Sequence, residues 1–296
     1  MPCDQRVAIA LGTVQVGELD AVDDALREFQ QEGASVQLHP GDVGWHLRFG
    51  ASGAAAALRT WSRDGEVLAV GLLDETTVLR LAIAPEAQQD EELSHRLVED
   101  VSARDRGVLT EEKACVEAPS GALVRDLLTS VGWVPDMSWS PLRRDLTEPV
   151  EDPGLRIEVT GVEQVPVRVA VQRAAFDNST FTEDRWHAMA AGPAYADARC
   201  LVAYDAKDDA VAATTVWSAG PGRPGLIEPL GVHRDHRGRG HGRSISLAAA
   251  AALRDLGASS AVVDTPTSNV VAVATYVSAG FQGLPEVPDL RAIRLS

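Results

Sequence analysis

Leu226-Ile227-Glu228-Pro229-Leu230-Gly231-Val232 runs into Arg237-Gly238-Arg239-Gly240-His241-Gly242, and an apolar helical pattern follows to about Leu256, with Gly257 as its C-cap. A strand, a glycine loop and a helix in that order make an anion site by construction. Glycines let the backbone curl so that several N–H groups face one concavity, and the helix N-terminus adds partial positive charge. Arg234, Arg237, Arg239 and Arg243 crowd the loop, with Asp235 as its one acid. A basic island in a chain of net charge −16 wants a polyphosphate; the alternative is an Arg/Gly-rich surface turn. Two better-known loops are excluded. There is no Gly-Lys-Ser/Thr, and Gly238, Gly240 and Gly242 alternate where a dinucleotide fingerprint needs Gly-x-Gly-x-x-Gly.

Working outward, Ala261-Val262-Val263-Asp264 reads as a short strand, and a second helix runs from about Ser268 to Gly280, before Phe281. The N-terminal half repeats this order. Val78–Ile83 is a strand, about 91–105 and 121–131 are helices, and Gly132 precedes Trp133. Aligning Ile83 with Val232 puts Gln88 opposite Arg237, and the repeat suggests duplication of one domain. The aligned loop, Gln88-Gln89-Asp90-Glu91-Glu92-Leu93, has lost both motif glycines and gained acids that repel a pyrophosphate. Glu148–Gly154 is rich in Pro, Gly and acid and reads as a linker. The expectation is a mixed α/β chain of two tandem domains, each a central sheet flanked by helices: a degenerate, non-catalytic 1–148 and an intact 155–296.

Composition bounds the function. The 296 residues are 45% hydrophobic and 24% charged, ordinary for a globular protein. The acidic balance argues against nucleic acid and would draw in cationic small molecules. No apolar run reaches the about 20 residues of a membrane span. Met1-Pro2-Cys3-Asp4-Gln5-Arg6 lacks the pattern of a signal peptide. Cys3, Cys115 and Cys200 are scattered and odd in number, so neither a disulfide framework nor a zinc site is expected, and the cytoplasm fits. Whether the protein is a monomer or a homodimer stays open.

Arg237-x-x-Gly240-x-Gly242, followed by Asn269-x-x-Ala272-x-x-x-Tyr276-x-x-x-Gly280-Phe281, resembles the GNAT superfamily of N-acetyltransferases. The resemblance is specific over about 226–281 and looser over 155–225. A degenerate domain followed by an intact one resembles mycothiol synthase in layout. The resemblance implies acetyl-CoA, or another acyl-CoA, as co-substrate. Its pyrophosphate would lie on backbone N–H groups of Gly238, Arg239, Gly240, His241, Gly242 and Arg243, beside Arg237. Its pantetheine would lie along Leu230, Gly231 and Val232, with Asn269 in contact, and Tyr276 would protonate the leaving thiolate.

Each residue also has a plainer reading. Tyr276 suits a core position on an amphipathic helix, and Asn269 suits helix capping. Glu228 shares a regular strand face with residues 230 and 232, and is the candidate general base or ammonium binder, against a structural ion pair. Asp264 is a second acid, better read as a turn or capping residue. Trp217 suits an acceptor pocket or the core, and Cys200 the core. Asp177–Phe181 suits acceptor contact or loop capping. His233, His236 and His241 lack the carboxylate or thiolate that would complete a metal site, so no metal is expected. The leading function is transfer of an acetyl group to a primary amine of a small molecule. The alternatives are mycothiol-synthase-like acetylation of a cysteinyl amine and a non-catalytic acyl-CoA sensor.

Overall fold

The structure is a computed structural model describing residues 8–74, 77–111 and 113–293; Cys3 and the N-terminal leader reading fall outside them. The N-terminal half runs β1 (Ala10–Thr13), α1 (Leu19–Phe29), α2 (Pro40–His46), α3 (Ala51–Ala57), β2 (Leu58–Arg63), β3 (Glu66–Asp74), β4 (Val78–Ile83), α4 (Glu91–Ser102), β5 (Cys115–Glu117), α5 (Leu123–Ser130) and β6 (Val134–Asp145). The C-terminal half runs β7 (Arg156–Val159), α6 (Val165–Ala175), α7 (Glu183–Ala190), β8 (Ala198–Tyr204), β9 (Ala210–Trp217), β10 (Gly225–Val232), α8 (His241–Asp255), β11 (Ser260–Pro266), α9 (Val270–Ser278), β12 (Gln282–Gly283) and β13 (Val287–Arg291). The expected mixed α/β architecture is present, and the order repeats from half to half.

The repeat extends to single bonds. Trp133 N–H donates to the Leu128 carbonyl at 3.0 Å, and Phe281 N–H to the Tyr276 carbonyl at 3.1 Å. Gly132 and Gly280 precede these donors with φ of 98° and 83°, the left-handed turn that ends each helix.

The sheet ignores the linker. Its strand order is β1-β2-β3-β4-β5-β13-β6-β11-β10-β9-β8-β7. The last long strand of the chain, β13, pairs with β5, while β6 pairs along β11 from Ser260↔Asp145 to Pro266↔Trp139. Each half therefore borrows the other's closing strand, and residues 149–154 divide the sequence but not the hydrogen bonding. Side chains also cross the divide. Arg27 pairs with Asp197 at 2.8 Å, and Glu32 accepts from Ser259 at 2.6 Å.

Alternation along β9, β10 and β11 sorts the core. Val216, Ile227 and Val263 pack with Leu247, Ala250 and Leu253 of α8, whereas Trp217, Leu226 and Val262 pack with Val165 and Val169 of α6. Each such leucine, fully buried, contributes about 1.5–3 kcal/mol. Helix α2 lies on the Trp217 face. A Cβ at Gly41 or Gly44 would come within 2.5 Å of the Trp217 side chain, so glycine at both positions brings the N-terminal half onto the C-terminal strands.

Candidate functional site

The site begins where two parallel strands part. β10 pairs with β11 only at Gly225↔Ala261 and Leu226↔Val262; from Ile227 onward its remaining partner is β9. One edge of β10 is thus open along the stretch expected to hold pantetheine. Opposite β9 the register slips between Ile227 and Leu230, where three residues of β10 span two of β9, from Val216 to Thr214. A bulge of this kind reverses the alternation. Leu230 and Val232 therefore turn to α8, beside Ile245 and Ala248, while Glu228 turns to the N-terminal half. The expectation that 228, 230 and 232 share a face is corrected by this inserted residue. Gly231 sits under the end of α6, where a Cβ would meet that of Ala175 at 2.6 Å.

At the end of β10 the loop carries Gly238 and Gly240 at φ 74° and 85°. No turn, loop or cap hydrogen bond engages the backbone N–H groups from Arg237 to Arg243 among the described residues. Gly242 lets α8 start against α9, since a Cβ there would lie 2.8 Å from Thr275 Cγ2. The basic island needs correction. Arg234 donates to the Ala174 carbonyl at 2.8 Å, Arg237 to Ala175 at 2.6 Å and Arg243 to Ser278 at 2.8 Å. Those carbonyls end α6 and α9, so these arginines cap helix C-termini. Arg239 bonds the Asp235 carbonyl at 3.2 Å. The donors left unengaged at this loop are backbone N–H groups, while these guanidinium groups are already bonded.

Glu228 is half-buried, and its carboxylate makes no hydrogen bond or ion pair among the described residues. Burial pushes its pKa up to about 7, the charges of Asp42 and Asp74 add to this, and Arg80 and Arg48 oppose it. All four of those neighbours belong to the N-terminal half. Arg80 pairs with Asp42 at 2.9 Å and Glu117 at 2.8 Å, and Arg48 lies over the rings of Trp45 and Phe49. The sequence reading singled out none of them. The signal for Arg80 was present, as one charge inside the apolar strand Val78-Leu79-Arg80-Leu81-Ala82-Ile83.

The Tyr276 ring is buried, edge-on to Phe281 with centroids 5.6 Å apart. Burial raises its pKa, with a further push from Glu228, which keeps the phenol protonated. Asn269 caps α9, accepting from Ala272 N–H at 3.2 Å. Asp264 is no turn residue: it lies inside β11, where burial pushes its pKa up to about 7. Trp217 is buried and donates to the Glu228 carbonyl at 2.6 Å, and Cys200 is buried beside Thr215. Phe181 packs against Trp45 in the core. His236 Nδ1 and His241 Nε2 are buried without partners, yet no cluster of three or more metal-ligating side chains occurs among the described residues.

Residues 170–281 match the acetyltransferase (GNAT) family. That match lies wholly within the C-terminal half. The whole chain shares its fold with a GCN5-related N-acetyltransferase from Sphaerobacter thermophilus, at TM-score 0.59 and 19% identity over 97% of this chain and 96% of that one. A GNAT-family acetyltransferase from Colwellia psychrerythraea aligns at TM-score 0.58 and 15% identity, covering 95% and 98%. A tandem GNAT protein from the clavulanic acid biosynthesis pathway aligns at TM-score 0.56 and 15% identity, covering 96% and 98%. No curated protein matches the chain significantly. At these identities the likeness establishes the fold over nearly the full length, while the family match rests on the segment holding the open strand edge and the glycine loop. Among the described residues no helix is long and apolar enough to cross a membrane.

Proposed function

We propose that the protein is an acyl-CoA-dependent N-acetyltransferase acting on a primary amine of a small molecule. The observation that carries this reading is the open edge of β10 leading directly to a run of unengaged N–H groups at the start of α8. Leu230, Gly231 and Val232 take the pantetheine along that edge, and the N–H groups from Gly238 to Arg243 take the pyrophosphate. The Val232 N–H polarises the thioester carbonyl.

Chemistry then needs three proton transfers. The acceptor arrives as an ammonium and loses a proton to Glu228, whose raised pKa makes it a stronger base than an ordinary carboxylate. The neutral amine attacks the thioester carbon, a C–N bond forms, the C–S bond breaks as Tyr276 protonates the departing thiolate, and the extra proton on the new amide nitrogen passes through water to restore the Tyr276 phenol. Tyr276→Phe should lower turnover roughly 10²–10⁴-fold while CoA affinity stays nearly unchanged. The measurement is CoA release on a panel of amines beside calorimetric titration with CoA. Unchanged turnover would return Tyr276 to the core. One observation favours a non-catalytic acyl-CoA-binding module: the buried Tyr276 ring is already explained by packing. CoA binding with no turnover on any amine would decide for that reading.

A further inference from the structure

A cavity of about 290 Å³ lies in the seam between the halves. Its floor is the face of β4, β5, β13, β6 and β11, and residues 33–38 and 284–285 complete its lining. It reaches Leu226 and Asp264, one residue from each of the two strands that part. Leu226 belongs to the face away from α8, so a molecule seated here approaches the parted strands from the side opposite that helix. The volume is at the small end of ligand pockets, suiting a compact molecule.

The charges lining it are unevenly matched. Arg80 is taken by Asp42 and Glu117, and Arg143 by Glu32 at 3.1 Å and the Ala34 carbonyl at 3.0 Å. Arg125 donates to the carbonyls of Ala118 and Pro288 at 2.8 and 2.7 Å. Two carboxylates have no cation in contact among the described residues. Asp264 accepts one bond, from Thr265 N–H at 2.9 Å. Asp289 is 8% exposed; its Oδ2 accepts from Trp139 Nε1 at 3.0 Å, and its Oδ1 has no partner among the described residues. A buried carboxylate left half-bonded carries a desolvation cost that a cation relieves. Trp139 lines the same cavity and adds an aromatic surface for a positive charge. One strand, β6, separates the two acids, with Asp264 at the parted strands and Asp289 farther along.

We infer that this seam is the acceptor pocket and that it selects an amine bearing a second positive charge, with the reacting nitrogen at Asp264, beside the parted strands, and the second cation on Asp289. The inference rests on the acetyltransferase reading for the reaction, but not for the binding. It gives the N-terminal half a function: its loop 33–38, Arg80 and Glu117 form walls of the pocket.

The test compares 1,5-diaminopentane, 1-aminopentane and 5-aminopentanoate as acceptors. With the native protein the diamine should show a KM at least tenfold below that of the monoamine, and the zwitterion no such advantage. In Asp289→Asn, which preserves the Trp139 contact, the diamine-to-monoamine preference should fall to about one. Equal KM values for diamine and monoamine in the native protein would overturn the inference without any variant, as would an undiminished preference in Asp289→Asn. If no amine turns over, calorimetry with 1,5-diaminopentane separates the two readings. Binding that Asp289→Asn weakens supports the pocket while the acetyltransferase reading fails; no binding overturns the pocket.

Discussion

The two halves place the same helix start to opposite uses. In the C-terminal half, Gly238 and Gly240 turn the backbone and the N–H groups leading into α8 are left unengaged. In the N-terminal half, Asp90 caps α4 itself, accepting from Leu93 N–H at 2.8 Å. Arg63 then binds Asp90 at 2.8 Å and Glu92 at 3.1 Å. The positive end of the helix dipole is already answered by a carboxylate, and that carboxylate by an arginine. One fold thus leaves the donors of a helix start free where glycine turns the backbone, and makes a closed structural joint where a side chain fills the same place. The difference lies in a few loop residues.

The largest expected effect breaks the open loop. Gly240→Val with Gly242→Leu should abolish CoA binding. The first forces a β-branched residue into left-handed backbone, and the second drives a side chain into Thr275. Native protein should titrate as one CoA per chain and the variant as none, with circular dichroism checking that the fold persists. Two sites in the native protein, or binding that survives in the variant, would move the cofactor away from this loop.

Much of this contrast was legible in the sequence. The strand Val78–Ile83, the start of α4 at Glu91 and the glycine loop all stand where residue pattern placed them. Pattern reports local geometry, and these are local features. What escaped was non-local. Nothing in Val287–Arg291 says that it inserts between β5 and β6, because strand pairing depends on partners far along the chain. The role of the loop arginines escaped for the same reason, since the carbonyls they bind end helices 35 to 62 residues away. The bulge that turns Glu228 across the sheet had a visible cause in Pro229 and Gly231, but its direction depends on the register against β9.

A smaller effect sharpens the link between the halves. Glu228 takes its raised pKa from burial and from Asp42 and Asp74, both across the divide. A base must be unprotonated, so the rate should rise with pH through about 7, where Glu228 titrates, and then level off. In Glu228→Gln that limb should vanish, turnover should drop, and raising the pH should partly restore it because more amine is already neutral. If Glu228 serves only to hold the ammonium, the variant should instead raise the acceptor KM, tenfold corresponding to about 1.4 kcal/mol, with turnover little changed. Pre-steady-state and steady-state rates across pH 5–9 distinguish the two, and full activity in the variant would shift the proton to Asp264.

The smallest effect tests the closed joint. Asp90→Ala removes the α4 cap and frees Arg63 from its nearer partner, leaving Glu92 at 3.1 Å. Loss of a helix cap typically costs about 1 kcal/mol, so the denaturation midpoint should fall modestly with the slope unchanged. The variant should still bind a single CoA. Opening the donors does not supply the turn, because Glu91 and Leu93 stand where the other loop has Gly240 and Gly242, and α4 keeps acids in its first turn that repel a pyrophosphate. A second CoA site appearing in Asp90→Ala would show that one carboxylate alone silences the N-terminal half, and that glycine is dispensable for the site. No loss of stability would show that Arg63 and Glu92 hold the helix start without the cap.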